Sequence, residues 1–360
     1  NSHGPSDGAS GALASSVADP NTEPSNKGKG HLFMGLLAFQ FGLQPLLQKA
    51  CLDKDAVNKT SFVIVAEIIK IFLCLLAILS GGPRACRAMF RSWSLQSSVV
   101  AAAVPAVLYA LQNWLAQLAY MNLDSLTYNL LNQTKTLFAA ICLYVVMGRK
   151  QSMIQILALT MLLCAALLLN ARGGSNGKDG GKVVMNPGGG KDLGMDPGWM
   201  LMESRLWLGI LPVMMASFLS GLSASITQRT LQWYQRNSYL FSMELAIYGI
   251  IALSLSTLKS GDGQKILKDG FLHGWTPLTI LPAFTQAAGG LVVGQVIKYA
   301  GSVQKGFALI AGIIITASAQ TIMENTSLTM AHWMSAALVA AGTYLHTNYP
   351  PRQPNKNKSL

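Results

Sequence analysis

Apolar runs of about twenty residues recur along this 360-residue chain. An α-helix needs about 20 predominantly apolar residues to cross the hydrocarbon core of a bilayer. Short polar or basic stretches separate the runs, and Gly-rich residues 171–204 divide them five and five. The sequence therefore predicts an all-α membrane protein with ten transmembrane helices. The ten segments are 31–48, 60–80, 97–120, 124–147, 152–170, 206–228, 239–258, 277–299, 304–323 and 328–346.

Composition agrees with this class, since 51% of the residues are hydrophobic and only 12% are charged. The net charge of +12 lies in tails and short loops, which is typical of membrane topology and not of nucleic-acid binding. Basic residues cluster at alternate segment ends, so the positive-inside rule predicts cytosolic termini. We expect a disordered cytosolic tail over 1–29, a first five-helix repeat over 30–170, a luminal linker over 171–204, a second five-helix repeat over 205–347 and a cytosolic tail over 348–360.

An odd number of crossings in each half gives the two halves opposite orientations. Inverted repeats are typical of secondary transporters, which bind their substrate near the midplane between the repeats. We therefore expect two inverted five-helix repeats. The third and fourth segments should correspond to the eighth and ninth.

Segment 124–147 carries Lys135 at its middle. A lysine at the centre of a membrane helix costs about 2.5–3.5 kcal/mol, so it should face a wet cavity or a partner. Tyr128, Asn132 and Lys135 share one helical face because of their spacing. An aromatic ring, an amide and a cation suit a base, a ribose and a phosphate. The alternative is that Lys135 pairs with a carboxylate and holds the bundle together.

Other polar residues of the first half support a binding site. Glu67 and Lys70 are three residues apart and can pair with each other, so a structural and a binding role are both open. Tyr109, Gln112 and Asn113 share a face, where amides can read the edge of a base. Interhelical hydrogen bonding is the alternative role for these amides.

The second half contributes fewer polar residues to its apolar segments. Glu244 is an isolated carboxylate, which is expected to pair with a lysine of the first half or to act in proton coupling. Lys305 opens the ninth segment and should point inward if that segment mirrors the fourth. The remaining candidates for substrate contact are Ser220, Tyr248, Gly289 and Gly290.

Catalytic chemistry is not indicated by the sequence. It contains no HExxH pattern, the five His are dispersed, and the five Cys have neither disulfide nor metal-ligand spacing. We expect a protein that is not an enzyme and needs no metal or cofactor.

The chain resembles nucleotide-sugar transporters of the drug/metabolite transporter superfamily, specifically the CMP-sialic acid, UDP-galactose and UDP-N-acetylglucosamine branch. The resemblance rests on AEIIK at 66–70, YALQN at 109–113, DSLTYNLLNQTK at 124–135, the glycine pair at 289–290 and KYAGSVQKGFA at 298–308. It implies exchange of a cytosolic nucleotide sugar for a luminal nucleoside monophosphate. It also implies that Lys135 and Lys305 hold the phosphate, that Tyr128 stacks on the base, and that Lys70, Gln112 and Asn113 recognise the nucleoside.

The chain departs from that family at Asn132, at Glu244 and at Gln228–Arg229, which leaves the base and the sugar open. The terminal KNKSL resembles a dilysine retrieval signal, so an endoplasmic reticulum transporter of UDP-N-acetylhexosamines, similar to a plant branch, is favoured over a Golgi one. A CMP-sialic acid or UDP-galactose transporter, a carrier of another solute and a membrane scaffold are the alternatives. The bilayer is an expected partner, and a homodimer is one option for the assembly.

Overall fold

The structure, a computed structural model, describes residues 24–52, 56–91, 93–123, 125–176, 206–257, 261–323 and 330–349. Throughout these ranges the regular elements are helical. In chain order they are α1 Pro24–Cys51, α2 Lys59–Ser80, α3 Pro83–Arg91, α4 Leu95–Asn122, α5 Ser125–Gln133, α6 Lys135–Met147, α7 Met153–Asn176, α8 Trp207–Trp233, α9 Ser238–Thr257, α10 Gly261–Asp269, α11 Pro277–Tyr299, α12 Ser302–Met323 and α13 Met330–Asn348.

Among the described residues, seven helices are long and apolar enough to cross a membrane: α1, α2, α4, α8, α9, α11 and α12. Shorter apolar stretches occupy Leu131–Met147 and Met153–Leu168. The predicted all-α membrane class is thereby confirmed. The third and fourth segments are joined by a short connection, because α4 ends at Asn122 and α5 begins at Ser125.

Two predicted boundaries are wrong by several residues. Residues 24–29 belong to α1 and not to a disordered tail, since Pro24 is pre-organised for the first helical position. Residues 171–176 continue α7 instead of opening the linker, because glycine weakens but does not stop a helix of 24 residues that is already formed. The rest of the predicted N-terminal tail and linker, and the C-terminal KNKSL, lie outside the described residues.

The predicted continuous segment 124–147 is interrupted at Thr134. The Thr134 hydroxyl donates to the Leu131 carbonyl at 2.5 Å, and the Thr134 amide bonds the same oxygen at 3.1 Å. A side chain that bonds a carbonyl of the preceding turn competes with the helical ladder and bends helices. Lys135 consequently becomes the first residue of α6.

Small residues allow the helices to approach closely. A Cβ at Gly221 of α8 would lie 2.6 Å from the backbone of Phe138 and Ala139 in α6. A Cβ at Gly42 of α1 would lie 2.8 Å from the Gly312 carbonyl of α12. Membrane helices without a hydrophobic driving force between them associate through such close contacts. In both contacts one helix precedes the Gly-rich linker and the other follows it.

Long-range contacts sort the connections between helices into two ends. At one end lie the contacts Lys29–Tyr299, Trp93–Glu244, Arg149–Gln232 and Ser152–Tyr349. At the other end lie the contacts Asn58–Asp262, Thr60–Asp262 and Ser61–Trp275. The basic residues predicted to be cytosolic therefore gather at the first end, as expected if successive long helices reverse direction.

Candidate binding site

The packing of α6 against α12 brings the two central lysines together. A Cβ at Gly306 would lie 2.8 Å from Cγ2 and 2.9 Å from Oγ1 of Thr136, so only glycine permits this approach. Lys135 and Lys305 are the preceding residues on the two helices. Two like charges on packed neighbouring helices repel each other. The contact between Gly306 and Thr136 therefore places the two lysine-bearing helix segments side by side.

Neither ammonium group of this pair is neutralised by the part of the chain that the structure describes, where no side-chain hydrogen bond or ion pair involves Lys135 or Lys305. Both residues are half-buried. Two unneutralised cations on neighbouring helices favour the binding of an anion.

Lys70, unlike Lys135 and Lys305, is neutralised by a carboxylate. Its Nζ lies 2.6 Å from both carboxylate oxygens of Glu67, as the spacing predicted. The side chain lies directly over Gly290 of α11, where a Cβ would come within 2.5 Å of Lys70 Cε. Gly290 therefore makes room for the Lys70–Glu67 pair.

Gly289 makes room for Gln40, a residue that the sequence reasoning missed. A Cβ at Gly289 would collide with the Gln40 amide. Gln40 donates to the Thr285 carbonyl at 3.1 Å, and Gln44 donates to the Pro282 carbonyl at 3.0 Å. Glutamines four residues apart in an apolar segment are the signal that could have identified this polar seam between α1 and α11.

Tyr109, Gln112 and Asn113 form the polar face of α4. The Oε1 atom of Gln112 is buried without a hydrogen-bond partner in the described structure. Tyr109 is half-buried and Asn113 is exposed. Gln112 thus has an acceptor available for a ligand donor.

Tyr128 of α5 packs edge-to-face on Tyr120, with ring centroids 5.2 Å apart. Asn132, one turn further along, is half-buried. Ser220 of α8 is also half-buried, beside the close contact that Gly221 makes with α6.

Glu244 of α9 forms a buried cluster at the basic end. Arg236 donates to both carboxylate oxygens, at 2.5 and 3.0 Å, and Trp93 Nε1 donates at 2.7 Å. The expected pairing with a lysine of the first half is wrong, because the partner is an arginine of the connection before α9. Tyr248, one turn on, bonds the Ser98 hydroxyl at 3.2 Å.

A second cluster that sequence reasoning missed supports Lys305. Gln228 and Gln232 of α8 are each only 2% exposed. Gln228 Oε1 accepts from the Ser302 amide at 2.7 Å, and Gln232 Nε2 donates to the Ile297 carbonyl at 2.8 Å. These bonds fix the turn between α11 and α12, from which Lys305 follows. The departure from the family pattern at Gln228 is the sequence feature that marks this cluster.

Comparisons with known proteins identify the family of the chain. The nucleotide-sugar transporter family profile matches residues 34–347. The UDP-N-acetylglucosamine transporter ROCK1 of Arabidopsis thaliana is 38% identical over 343 residues, 95% of this chain and 99% of that protein. The UDP-N-acetylglucosamine/UDP-N-acetylgalactosamine transporter nstp-4 of Caenorhabditis elegans is 27% identical, covering 81% of this chain and 84% of that protein. A solved crystal structure shares the fold, with a TM-score of 0.59 at 11% identity over 89% of this chain and 97% of the other.

Proposed function

Because the chain belongs to the nucleotide-sugar transporter family, we propose that it carries a UDP-sugar into the endoplasmic reticulum lumen in exchange for a nucleoside monophosphate. UDP-GlcNAc or UDP-GalNAc is the favoured cargo, which the names of the relatives support. The observation that carries the proposal is the unneutralised Lys135–Lys305 pair. A diphosphate or monophosphate supplies the negative charge that the pair lacks.

The proposed carrier crosses the membrane ten times, in two inverted five-helix repeats. α5 and α6 together form the fourth crossing, and α7 and α13 add the fifth and tenth. The grouping of basic connections at one end supports this topology. Alternating access then opens the lysine pair first to one end and then to the other.

Residue roles follow from the surroundings of each side chain. Lys135 and Lys305 bind the phosphate, because an ammonium is a point-charge phosphate ligand. Tyr128 presents a ring to the base, and Gln112 offers its unpaired acceptor to a base or ribose donor. Lys70 contributes a charge that Glu67 orients.

The exchange is tested with the purified protein in liposomes loaded with UMP. We expect labelled UDP-GlcNAc to enter, and we expect Lys135→Met and Lys305→Met each to abolish most of the uptake. Lys150→Met, at an exposed lysine of the same predicted side, is the matched control and should transport normally. No uptake of any UDP-sugar or CMP-sugar with any preloaded nucleoside monophosphate would overturn the proposal.

Thermal unfolding separates this function from a carrier of another solute. UMP at a hundred times its dissociation constant should stabilise the wild-type protein by about 2.7 kcal/mol, and CMP at the same concentration should stabilise it less. Without nucleotide, Lys305→Met should not destabilise the protein, since it removes a repulsion. A large loss of stability in that variant would favour the scaffold alternative, in which the lysines hold the bundle together.

A further inference from the structure

A cavity of about 700 Å³ lies apart from the lysine pair, at the end of the bundle where the basic connections gather. Known small-molecule sites have volumes of about 300–1,000 Å³. The connection between α3 and α4, the ends of α6 and α8 and the start of α9 build this cavity. Its lining includes Trp93, Arg229, Tyr234, Gln235 and Arg236.

Arg229 is the chemically unusual member of this lining. Its guanidinium lies 5.7 Å from the ring centroid of Trp233 and 5.5 Å from that of Tyr234. These two rings hold the guanidinium plane in place, so little side-chain entropy remains to be lost on binding. Its Nε is buried and has no hydrogen-bond partner in the described parts of the chain. A buried charged donor without an acceptor is costly, and a ligand acceptor removes that cost.

The charge balance of the cavity favours an anion. The second cation, Arg236, is already neutralised by Glu244. The residues that line the described cavity include no aspartate or glutamate, so nothing there offsets Arg229. Arginine presents its N–H groups in a fork that matches the oxygens of a phosphate.

The loop at the rim of the cavity is held in one conformation by its own contacts. Gln235 adopts a left-handed backbone with φ of 50°, which is unusual for a residue other than glycine. Its side chain donates to the Gln232 carbonyl at 2.6 Å. The Arg236–Glu244 pair then anchors the next residue. The loop beside Arg229 is thereby held in one shape, as a binding site requires.

We propose that this cavity is a second anion site, which binds a phosphate ester through Arg229 independently of the Lys135–Lys305 pair. Two sources have that chemistry: a soluble nucleotide and the headgroup of an anionic phospholipid. Trp93 and Tyr234, both partly exposed, offer faces on which a base can stack. In the predicted topology, Arg229, Trp233 and Tyr234 also lie at the cytosolic surface of the bilayer.

Arginine footprinting tests the site without relying on transport. The full-length protein in phosphatidylcholine nanodiscs is treated with phenylglyoxal, and mass spectrometry follows the modification of each arginine. One arm adds UMP, and the other replaces part of the lipid with phosphatidic acid without nucleotide. A ligand at ten times its dissociation constant should slow modification of Arg229 about tenfold.

Arg91, an exposed arginine at the same end and outside the cavity lining, is the internal control. Protection of Arg229 with unchanged Arg91 in either arm supports the site and identifies its source. The proposal is overturned if modification of both arginines slows equally, or if neither arginine is protected in either arm. The Lys135→Met/Lys305→Met double variant should keep the protection of Arg229, and loss of protection there would show that the effect comes from the lysine pair. Because transport is not measured, a failure here leaves the proposed exchange unaffected.

Discussion

Gly290→Ala is the sharpest test of Lys70, because it displaces the ammonium group without removing its charge. The new Cβ would lie 2.5 Å from Lys70 Cε, 3.1 Å from Nζ and 3.3 Å from Cδ. Ordinary contact between carbons begins near 3.4 Å, so Cε must move by about 0.9 Å. Nζ now lies 2.6 Å from both Glu67 oxygens and cannot keep both distances after that movement.

The magnitudes for stability and for binding differ. A lysine side chain is flexible, so overpacking should cost at most about 1 kcal/mol, and alanine in place of a helical glycine returns a similar amount. The free energy of unfolding should therefore change little. If Lys70 contacts the nucleotide, misplacing one charged hydrogen bond should weaken binding by about 1.5–3 kcal/mol, which is roughly 10- to 150-fold.

The assay is UMP-dependent thermal stabilisation, together with KM for UDP-GlcNAc uptake. Gly249→Ala is the matched control, since a Cβ there meets no atom within 4 Å. The Lys70→Ala/Gly290→Ala double variant completes the cycle and should bind UMP no more weakly than Lys70→Ala. Additive losses would show that Gly290 does not act through Lys70. An unchanged affinity in both single variants would refute the binding role of Lys70.

Three further changes test the polar clusters, all by thermal unfolding of the solubilised protein. Gly289→Ala displaces the Gln40 amide from its seam and should cost about 1–3 kcal/mol while UMP affinity is kept; a loss of affinity alone would contradict that structural role. Glu244→Gln leaves Arg236 without its anion and should cost about 3 kcal/mol, whereas an unchanged stability would refute the buried pair. Gln228→Leu leaves a buried amide of the α11–α12 turn unpaired and should cost about 1–3 kcal/mol, and wild-type stability would exclude the clamp.

Features that depend on residues within one segment could be predicted from the sequence. Hydropathy alone predicts the membrane class, and the spacing of Glu67 and Lys70 predicts their pair, because both partners lie on the same helix. The proposed convergence of Lys135 and Lys305 has a different basis. A lysine in an apolar segment is expected to face the interior, and an inverted-repeat arrangement would place the two lysine-bearing segments in matching positions.

Features that depend on which helices face each other were not predictable in this way. The seam at Gln40 requires α11 to expose carbonyls to α1, and the sequence does not state which helices are neighbours. The interruption at Thr134 depends on which carbonyl the threonine hydroxyl selects, since either a continuous or a broken helix fits the same apolar pattern. The expectation that Glu244 pairs with a lysine rests on intramembrane charges alone, whereas its partner Arg236 lies outside the apolar segment.

The charges of this bundle differ in a way that separates support from binding. Arg236 and Lys70 are each neutralised by a carboxylate of their own half, Glu244 and Glu67. A pair closed within one half can remain intact when the two halves move against each other, so it stabilises the protein in every state. Lys135 and Lys305 come from different halves and carry like charges, and no carboxylate of the described residues pairs with either one. In the proposed exchange, an anion bound between them would reverse the sign of their interaction and link binding to the relative position of the halves.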